Sequence, residues 1–114
     1  MNADNPSLTV ADWNWAVLML GQALVGSVSP NFRQVQLGFE DGLWIIRLTL
    51  WEEQGSDRDE AEEICDQFSI SLADIRDQLS PAAYTDAKVE VVVERGALKW
   101  PDSSSARNVF RMRV

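Results

Sequence analysis

Acidic side chains are concentrated in one short stretch of the sequence. Residues 52 to 66 contain eight carboxylates and a single arginine, so this stretch holds a charge of -7 of the chain's formal -8. Clustered carboxylates can ligate a metal ion, act as an acid-base pair or bind a basic partner. The eight acidic residues are Glu52, Glu53, Asp57, Asp59, Glu60, Glu62, Glu63 and Asp66.

The first two kinds of chemistry do not fit the pattern. Asp57-Arg58-Asp59 lacks the glycine and the trailing bidentate acid of a calcium-binding EF-hand loop. A catalytic carboxylate needs a pKa raised by burial, whereas helical spacing puts these acids on a polar face. The chain also has no histidine to serve as a base. We therefore expect no metal, no cofactor and no enzymatic activity, which leaves a solvated surface or a docking face for a basic partner.

One of the tryptophans is a candidate aromatic anchor for a docking face. Trp44 and Trp51 lie an odd number of residues apart on one predicted strand, so they point to opposite faces. Trp51 immediately precedes the acids, and an aromatic residue beside charged ones is typical of a binding hot spot. It could equally cover a seam between helix and sheet. The predicted partner-binding residues are Trp51, Glu52, Glu53, Asp59, Glu62, Glu63 and Asp66.

Arginines near the C-terminus form a second charged pattern. Arg107, Arg111 and Arg113 alternate with apolar residues and could meet phosphates. Glu90 and Glu94 on another predicted strand offer cross-strand ion pairs instead, which we favour. The acidic balance of the chain also argues against nucleic-acid binding, which needs clustered lysine and arginine.

The acids lie on a predicted amphipathic helix. Ser56 is a suitable N-cap with Asp59 at the third helical position, as in a capping box. The pattern continues to Leu79, and Pro81 ends it. Ile70 falls off the apolar stripe, which indicates a kink or a contact with another element. The residues of the stripe that must be buried are Ala61, Ile64, Cys65, Phe68, Leu72, Ile75 and Leu79.

A first helix is predicted from about Val10 to Val28, with Thr9 or Ser7 as its N-cap. Its apolar residues extend beyond one stripe to positions such as Trp15 and Val25. A helix of this kind is covered on more than one side or contributes to a subunit contact. We expect a monomer or a weak homodimer whose contact involves this helix.

The remaining segments alternate as strands do. Gln34 and Gln36 fall on the polar side of the first strand, which is predicted to be half-buried. Asp41-Gly42 predicts a hairpin to the second strand. The predicted strands are Phe32 to Glu40, Leu43 to Trp51, Lys88 to Glu94, a short edge segment Ala97 to Trp100, and Arg107 to Val114.

These elements predict a single α+β domain over residues 1–114, of which 1–6 are expected to be flexible. The expected fold is a twisted antiparallel sheet of four to five strands packed against two helices, in the order α-β-β-α-β-β(-β). Cys65 is the only cysteine, lies on the apolar stripe and indicates a reducing compartment. The N-terminal apolar run lacks the basic residues of a secretory signal and is too short to span a bilayer. We therefore expect a cytoplasmic protein without a membrane contact.

In size, charge and element order the chain resembles the immunity proteins of bacterial polymorphic toxins and of contact-dependent growth inhibition systems. Such proteins present negatively charged surfaces to the basic active-site clefts of nuclease toxins. The resemblance implies that this chain binds and neutralises a cognate toxin domain through an acidic surface.

The chain also looks like a secretion chaperone of the type III kind, which is small, acidic and α+β and wraps an unfolded effector segment. The apolar first helix favours this alternative, and the lack of a helix near the C-terminus counts against it. A dimer that binds only unfolded segments would distinguish the chaperone from the immunity protein.

Overall fold

The computed structural model describes residues 8–25, 30–80, 85–96 and 106–111. Two helices and four strands, with one short 3-10 turn, make up these parts of the chain. The α+β class with two helices is confirmed. The elements are α1 Val10–Leu24, β1 Phe32–Glu40, β2 Leu43–Leu50, α2 Gly55–Asp74, the 3-10 turn Arg76–Gln78, β3 Ala87–Val93 and β4 Ala106–Arg111.

The four strands form one sheet in the order β3-β2-β1-β4. β1 and β2 are antiparallel, and their hairpin turns at Asp41 and Gly42 with φ of 54° and 77°. Both residues therefore adopt the left-handed geometry that Asp-Gly supplies in tight hairpins, which confirms this turn. β1 also pairs with β4 in the antiparallel sense.

The prediction of an antiparallel sheet is wrong at its other edge, because β2 and β3 are parallel. Parallel neighbours need a crossover, and α2 provides it by carrying the chain from the end of β2 back to the start of β3. Alternation and turn signals indicate strands, but they do not indicate which earlier strand a later one joins. The predicted edge segment 97–100 lies outside the described residues.

Burial of β1 differs from the prediction. Gln34 and Gln36 are completely buried, at 0% and 1% exposure, although they were expected on a solvated face. Thr49, the cross-strand neighbour of Gln34, is equally buried, and so is Ile45 on the same side of the sheet. The alternation correctly predicts which side chains share a face. It does not predict whether that face meets solvent, because burial of a strand face depends on which other segments pack against it.

The main core lies between the other face of the sheet and the two helices. Trp44 is fully buried there, and its ring makes edge contacts with rings from three other elements. The centroid distances are 5.2 Å to Trp13 of α1, 4.8 Å to Phe39 of β1 and 6.2 Å to Phe68 of α2. Truncating such a ring costs about 3–5 kcal/mol of stability. Trp44 therefore joins both helices to the hairpin.

Helix α1 begins as predicted and ends earlier. Thr9 is its N-cap and forms a complete capping box with Asp12. The helix ends at Leu24, not Val28, because Val25 already has extended geometry with ψ of 120°. Val25 is exposed and Trp15 is half-buried. A subunit contact through these two residues stays a prediction.

Helix α2 confirms the predicted stripe but not the predicted start. Gln54 is the N-cap, without a side-chain hydrogen bond, and Ser56 already lies inside the helix. The helix ends at Asp74 and the 3-10 turn follows, while Pro81 lies outside the described residues. The buried members of the stripe are Ala61, Ile64, Cys65, Phe68 and Leu72; Ile75 and Leu79 pack against them half-buried.

A buried carboxylate connects the two ends of the helical layer. Asp12 is 1% exposed and accepts hydrogen bonds from the Thr9 amide at 2.9 Å, the Ser80 amide at 2.9 Å and the Ser80 hydroxyl at 2.5 Å. Burial alone would raise the pKa of Asp12, but the bonds from Ser80 and Thr9 outweigh it and hold this pKa below its ordinary 3.8. Asp12 thus ties the segment after α2 to the start of α1.

We predict that Asp12→Ala lowers the free energy of unfolding by about 2 kcal/mol at pH 7, because the Thr9 amide and both Ser80 donors lose their acceptor. Because the folded-state pKa is lowered, this contribution is present above the ordinary pKa and is lost as pH falls through the folded value. Urea denaturation of both proteins between pH 7 and 3 should show the difference shrinking below about pH 4. The exposed Asp77→Ala is the control. An equal loss in the control, or a difference independent of pH, would contradict the assignment.

Candidate functional site

Four carboxylates of α2 form an exposed surface that we call the acidic face: Asp59, Glu62, Glu63 and Asp66. Each is solvent-exposed, because the helical spacing that buries Ala61, Ile64 and Cys65 turns these four outward. Within the described parts of the chain, none of the four forms an ion pair. Among these described residues, no ion pair neutralises the negative charge of this face.

The other two predicted acids lie at the start of α2 and have arginine partners. Both carboxylate oxygens of Glu53 accept from Arg58, at 2.6 and 2.7 Å, and these bonds lower the pKa of Glu53. Glu52 lies 3.5 Å from the guanidinium of Arg95. These exposed pairs are weak in energy, but they reduce the net charge beside the acidic face.

Trp51 is half-buried, and one face of its ring is covered by a cation. The guanidinium carbon of Arg33 lies 4.1 Å from the ring centroid. Arg33 also donates to the backbone carbonyls of Glu94 at 2.6 Å and Gly96 at 2.7 Å. Arg95 donates to the carbonyl of Trp51 at 3.1 Å. Trp51 therefore lies at the joined ends of β1, β2 and β3, and its role in partner binding stays a prediction.

No sequence signal pointed to Arg33 or Arg95. Arg33 reaches Trp51 because β1 and β2 pair in the hairpin, whereas Arg95 reaches it because β3 lies parallel beside β2, which places residues 94–96 next to the end of β2. This pairing joins segments more than forty residues apart in the chain. The contacts between the ends of β2 and β3 can be predicted only when the order of the strands in the sheet is known.

A buried asparagine fixes the start of α2. The Asn31 side chain donates to the carboxylate of Asp57 at 2.8 Å and to the carbonyl of Glu52 at 2.7 Å. Its amide oxygen accepts from the Glu52 N–H at 2.9 Å. Asp57 is only 6% exposed. The sequence pattern places Asp57 among the surface acids, but its carboxylate is buried and holds α2 against the start of β1.

A groove between α1 and α2 adjoins the acidic face. Its volume is about 470 Å³, and Glu63 and Asp66 of the acidic face line one side. Val25 at the end of α1 and Ile70 of α2 also line it, with 80% and 57% of their surfaces exposed. Helix α2 runs uninterrupted through Ile70 and leaves its side chain exposed, so the structure supports neither the predicted kink nor the predicted contact with another element. The groove combines negative charge with apolar surface.

The predicted ion pairs of the C-terminal arginines are wrong. β3 and β4 lie at opposite edges of the sheet, so Glu90 and Glu94 cannot pair across strands with Arg107. The side chains of Arg111 and Arg113 lie outside the described residues. Glu90 instead lies 3.2 Å from Arg47 of the adjacent β2. The guanidinium of Arg107 stacks on Trp13 of α1, 4.6 Å from the ring centroid.

Comparison with known protein families identifies the chain. The model of MafI2 immunity proteins matches residues 13–99 of the 114. The chain belongs to the MafI2 immunity protein family. The matched segment includes the hairpin, α2 with its acidic face, and β3. No curated protein matches the sequence significantly.

Family membership confirms the resemblance to bacterial toxin immunity proteins and indicates a toxin-neutralising function. It implies a cognate toxin as the binding partner and favours the immunity protein over the secretion chaperone. Immunity families are generally non-enzymatic.

In the described residues of this MafI2 immunity protein, no group of three or more potential ligands could hold a metal ion. None of the helices described is long and apolar enough to cross a membrane.

The acidic face also affects the single cysteine, Cys65, which is buried as predicted at 6% exposure. Burial raises the pKa of the Cys65 thiol to about 11, and the charges of Glu62 and Asp66 add to this shift. A shift of this size lowers the thiolate fraction at pH 8 by about a hundredfold.

We predict that a maleimide labels Cys65 in the native protein at least about a hundred times more slowly than in the unfolded chain, because thiolate is scarce and access is blocked. Cys65→Ala should cost about 1–2 kcal/mol for the small cavity. A cysteine placed at the exposed Ser56 in that background is the control and should react rapidly. Labelling of Cys65 in the native protein at the rate of the unfolded chain would contradict its place on the buried apolar stripe of α2.

Proposed function

We propose that this immunity protein neutralises a nuclease-type toxin by docking the acidic face of α2 against the toxin's basic cleft. The observation that carries the proposal is the set of four exposed carboxylates without ion pairs in the described residues. Nucleases bind phosphates through clustered lysine and arginine. A surface of uncompensated carboxylates is complementary to such a cleft and competes with the nucleic acid for it.

Folding does not account for these carboxylates. Asp59 and Glu63, like Glu62 and Asp66, are four residues apart on α2, and like charges at this spacing cost a few tenths of a kcal/mol per pair. The helix dipole compensates acids in the first turn, where only Asp57 lies. The acidic face therefore lowers the stability of the helix that carries it, as expected for residues maintained by binding.

Trp51, Glu52 and Glu53 are proposed to extend the contact beyond the helix. Their arginine partners, among them Arg33 and Arg95, make this end of the surface mixed in charge. A basic toxin would compete with those arginines for the carboxylates. We therefore assign electrostatic attraction chiefly to the acidic face, and to these three residues a supporting role at its edge.

The electrostatic role predicts a kinetic effect. Changing Glu62, Glu63 and Asp66 together to Lys should slow association with the toxin by about tenfold or more, and should flatten the salt dependence of the on-rate. The toxin domain to use is the one encoded directly upstream, since an immunity gene usually follows its toxin gene. Surface plasmon resonance at several salt concentrations measures both quantities.

The matched control changes the exposed Asp74, Asp77 and Asp86 to Lys, which alters the net charge by the same amount outside the acidic face. Circular dichroism should show both triple variants folded, because all six side chains are exposed. If the acidic-face variant associates as fast as the wild type with the same salt slope, the acidic face is only solvated. If both variants slow association equally, the net charge of the whole protein accounts for the effect and the acidic face has no specific role.

A further inference from the structure

The groove between α1 and α2 has apolar surface that folding leaves uncovered. Ala23 of α1 and Ile64 of α2 line it and are 8% and 1% exposed. Val25 and Ile70 also line it, but they are 80% and 57% exposed. Isolated exposed aliphatic residues are common, whereas two of them at one groove offer a place where a partner's side chain can be buried.

The charge around this groove has one sign. Among the residues that the structure describes, Glu63 and Asp66 are the charged ones that line it, and no lysine or arginine is among them. α1 ends beside the groove at Leu24 without a basic residue in its last turn, so its dipole adds negative potential there. Cations are therefore favoured at the rim, above apolar surface.

Apolar and acidic side chains follow one line along α2. Glu63, Asp66 and Ile70 are separated by three and four residues, so they lie on the same side of the helix. A partner that follows this line meets two carboxylates and then an aliphatic side chain. Lysine and arginine suit such a surface, since their methylene stems cover apolar groups while their charged ends reach carboxylates.

We propose that the groove receives a segment of the toxin in which an aliphatic side chain lies next to a lysine or arginine, the aliphatic group packing between Val25 and Ile70. This inference rests on the proposed function and assigns the groove a separate task. The acidic face accelerates encounter, and the groove holds the complex together, because burial of apolar side chains acts on dissociation.

The test compares two double variants in toxin-binding kinetics. Val25→Ser with Ile70→Gln removes the exposed aliphatic groups of the groove. Val10→Ser with Leu18→Gln removes equally exposed aliphatic groups elsewhere on α1, where Val10 is 76% and Leu18 is 49% exposed. The groove variant should dissociate from the upstream-encoded toxin domain about tenfold faster, with its on-rate and salt slope within about twofold of wild type. The control should dissociate at the wild-type rate.

Three results would overturn the inference. If the groove variant dissociates like the wild type while the acidic-face variant still associates slowly, the proposed function stands and the groove has no part in it. If neither variant changes the kinetics, the toxin binds another surface and both proposals fail. If light scattering shows a dimer that only the groove variant converts to a monomer, with toxin binding unchanged, the groove belongs to a second copy.

Discussion

The contacts of the buried Trp44 ring are the interaction on which the arrangement of this molecule depends. A strand residue at 0% exposure meets Trp13 of α1 and Phe68 of α2 through edge contacts, so both helices are fixed to the same face of the hairpin. The spacing of α1 and α2 follows from this packing. The groove lies between these two helices, and α2 buries its apolar stripe against the same core while its acidic side faces outward.

Carboxylates have two separate tasks in this chain. Asp12 and Asp57 are buried, and the hydrogen bonds that they accept from Ser80 and Asn31 connect segments that are distant in sequence. The acids of the acidic face are exposed, and no ion pair compensates them within the described residues. Removing a buried acid is expected to cost stability, whereas reversing an exposed one is expected to cost binding. This separation allows the two tasks to be tested independently.

Local patterns predicted much of this fold. The features that they did not predict depend on pairing between segments that are distant in the sequence. The Thr9 cap, the Asp-Gly hairpin and the buried stripe of α2 follow from short spacings, and each is confirmed. The parallel pairing of β2 with β3 depends on how α2 packs against the sheet, and no local sequence pattern predicts that packing. The contact of Arg95 with the Trp51 carbonyl depends on that pairing and was missed for the same reason. Asp57 was misassigned because its partner, Asn31, lies 26 residues earlier.

Carboxyl footprinting of the free protein and of its toxin complex tests most directly whether the acidic face is the binding surface. Carbodiimide-activated amidation, followed by mass spectrometry, reports the accessibility of each exposed carboxylate. Protection on toxin binding is expected at Asp59, Glu62, Glu63 and Asp66, while the exposed Asp77 reacts at an unchanged rate. Unchanged labelling of all four residues of the acidic face, with protection elsewhere in the complex, would contradict the central claim.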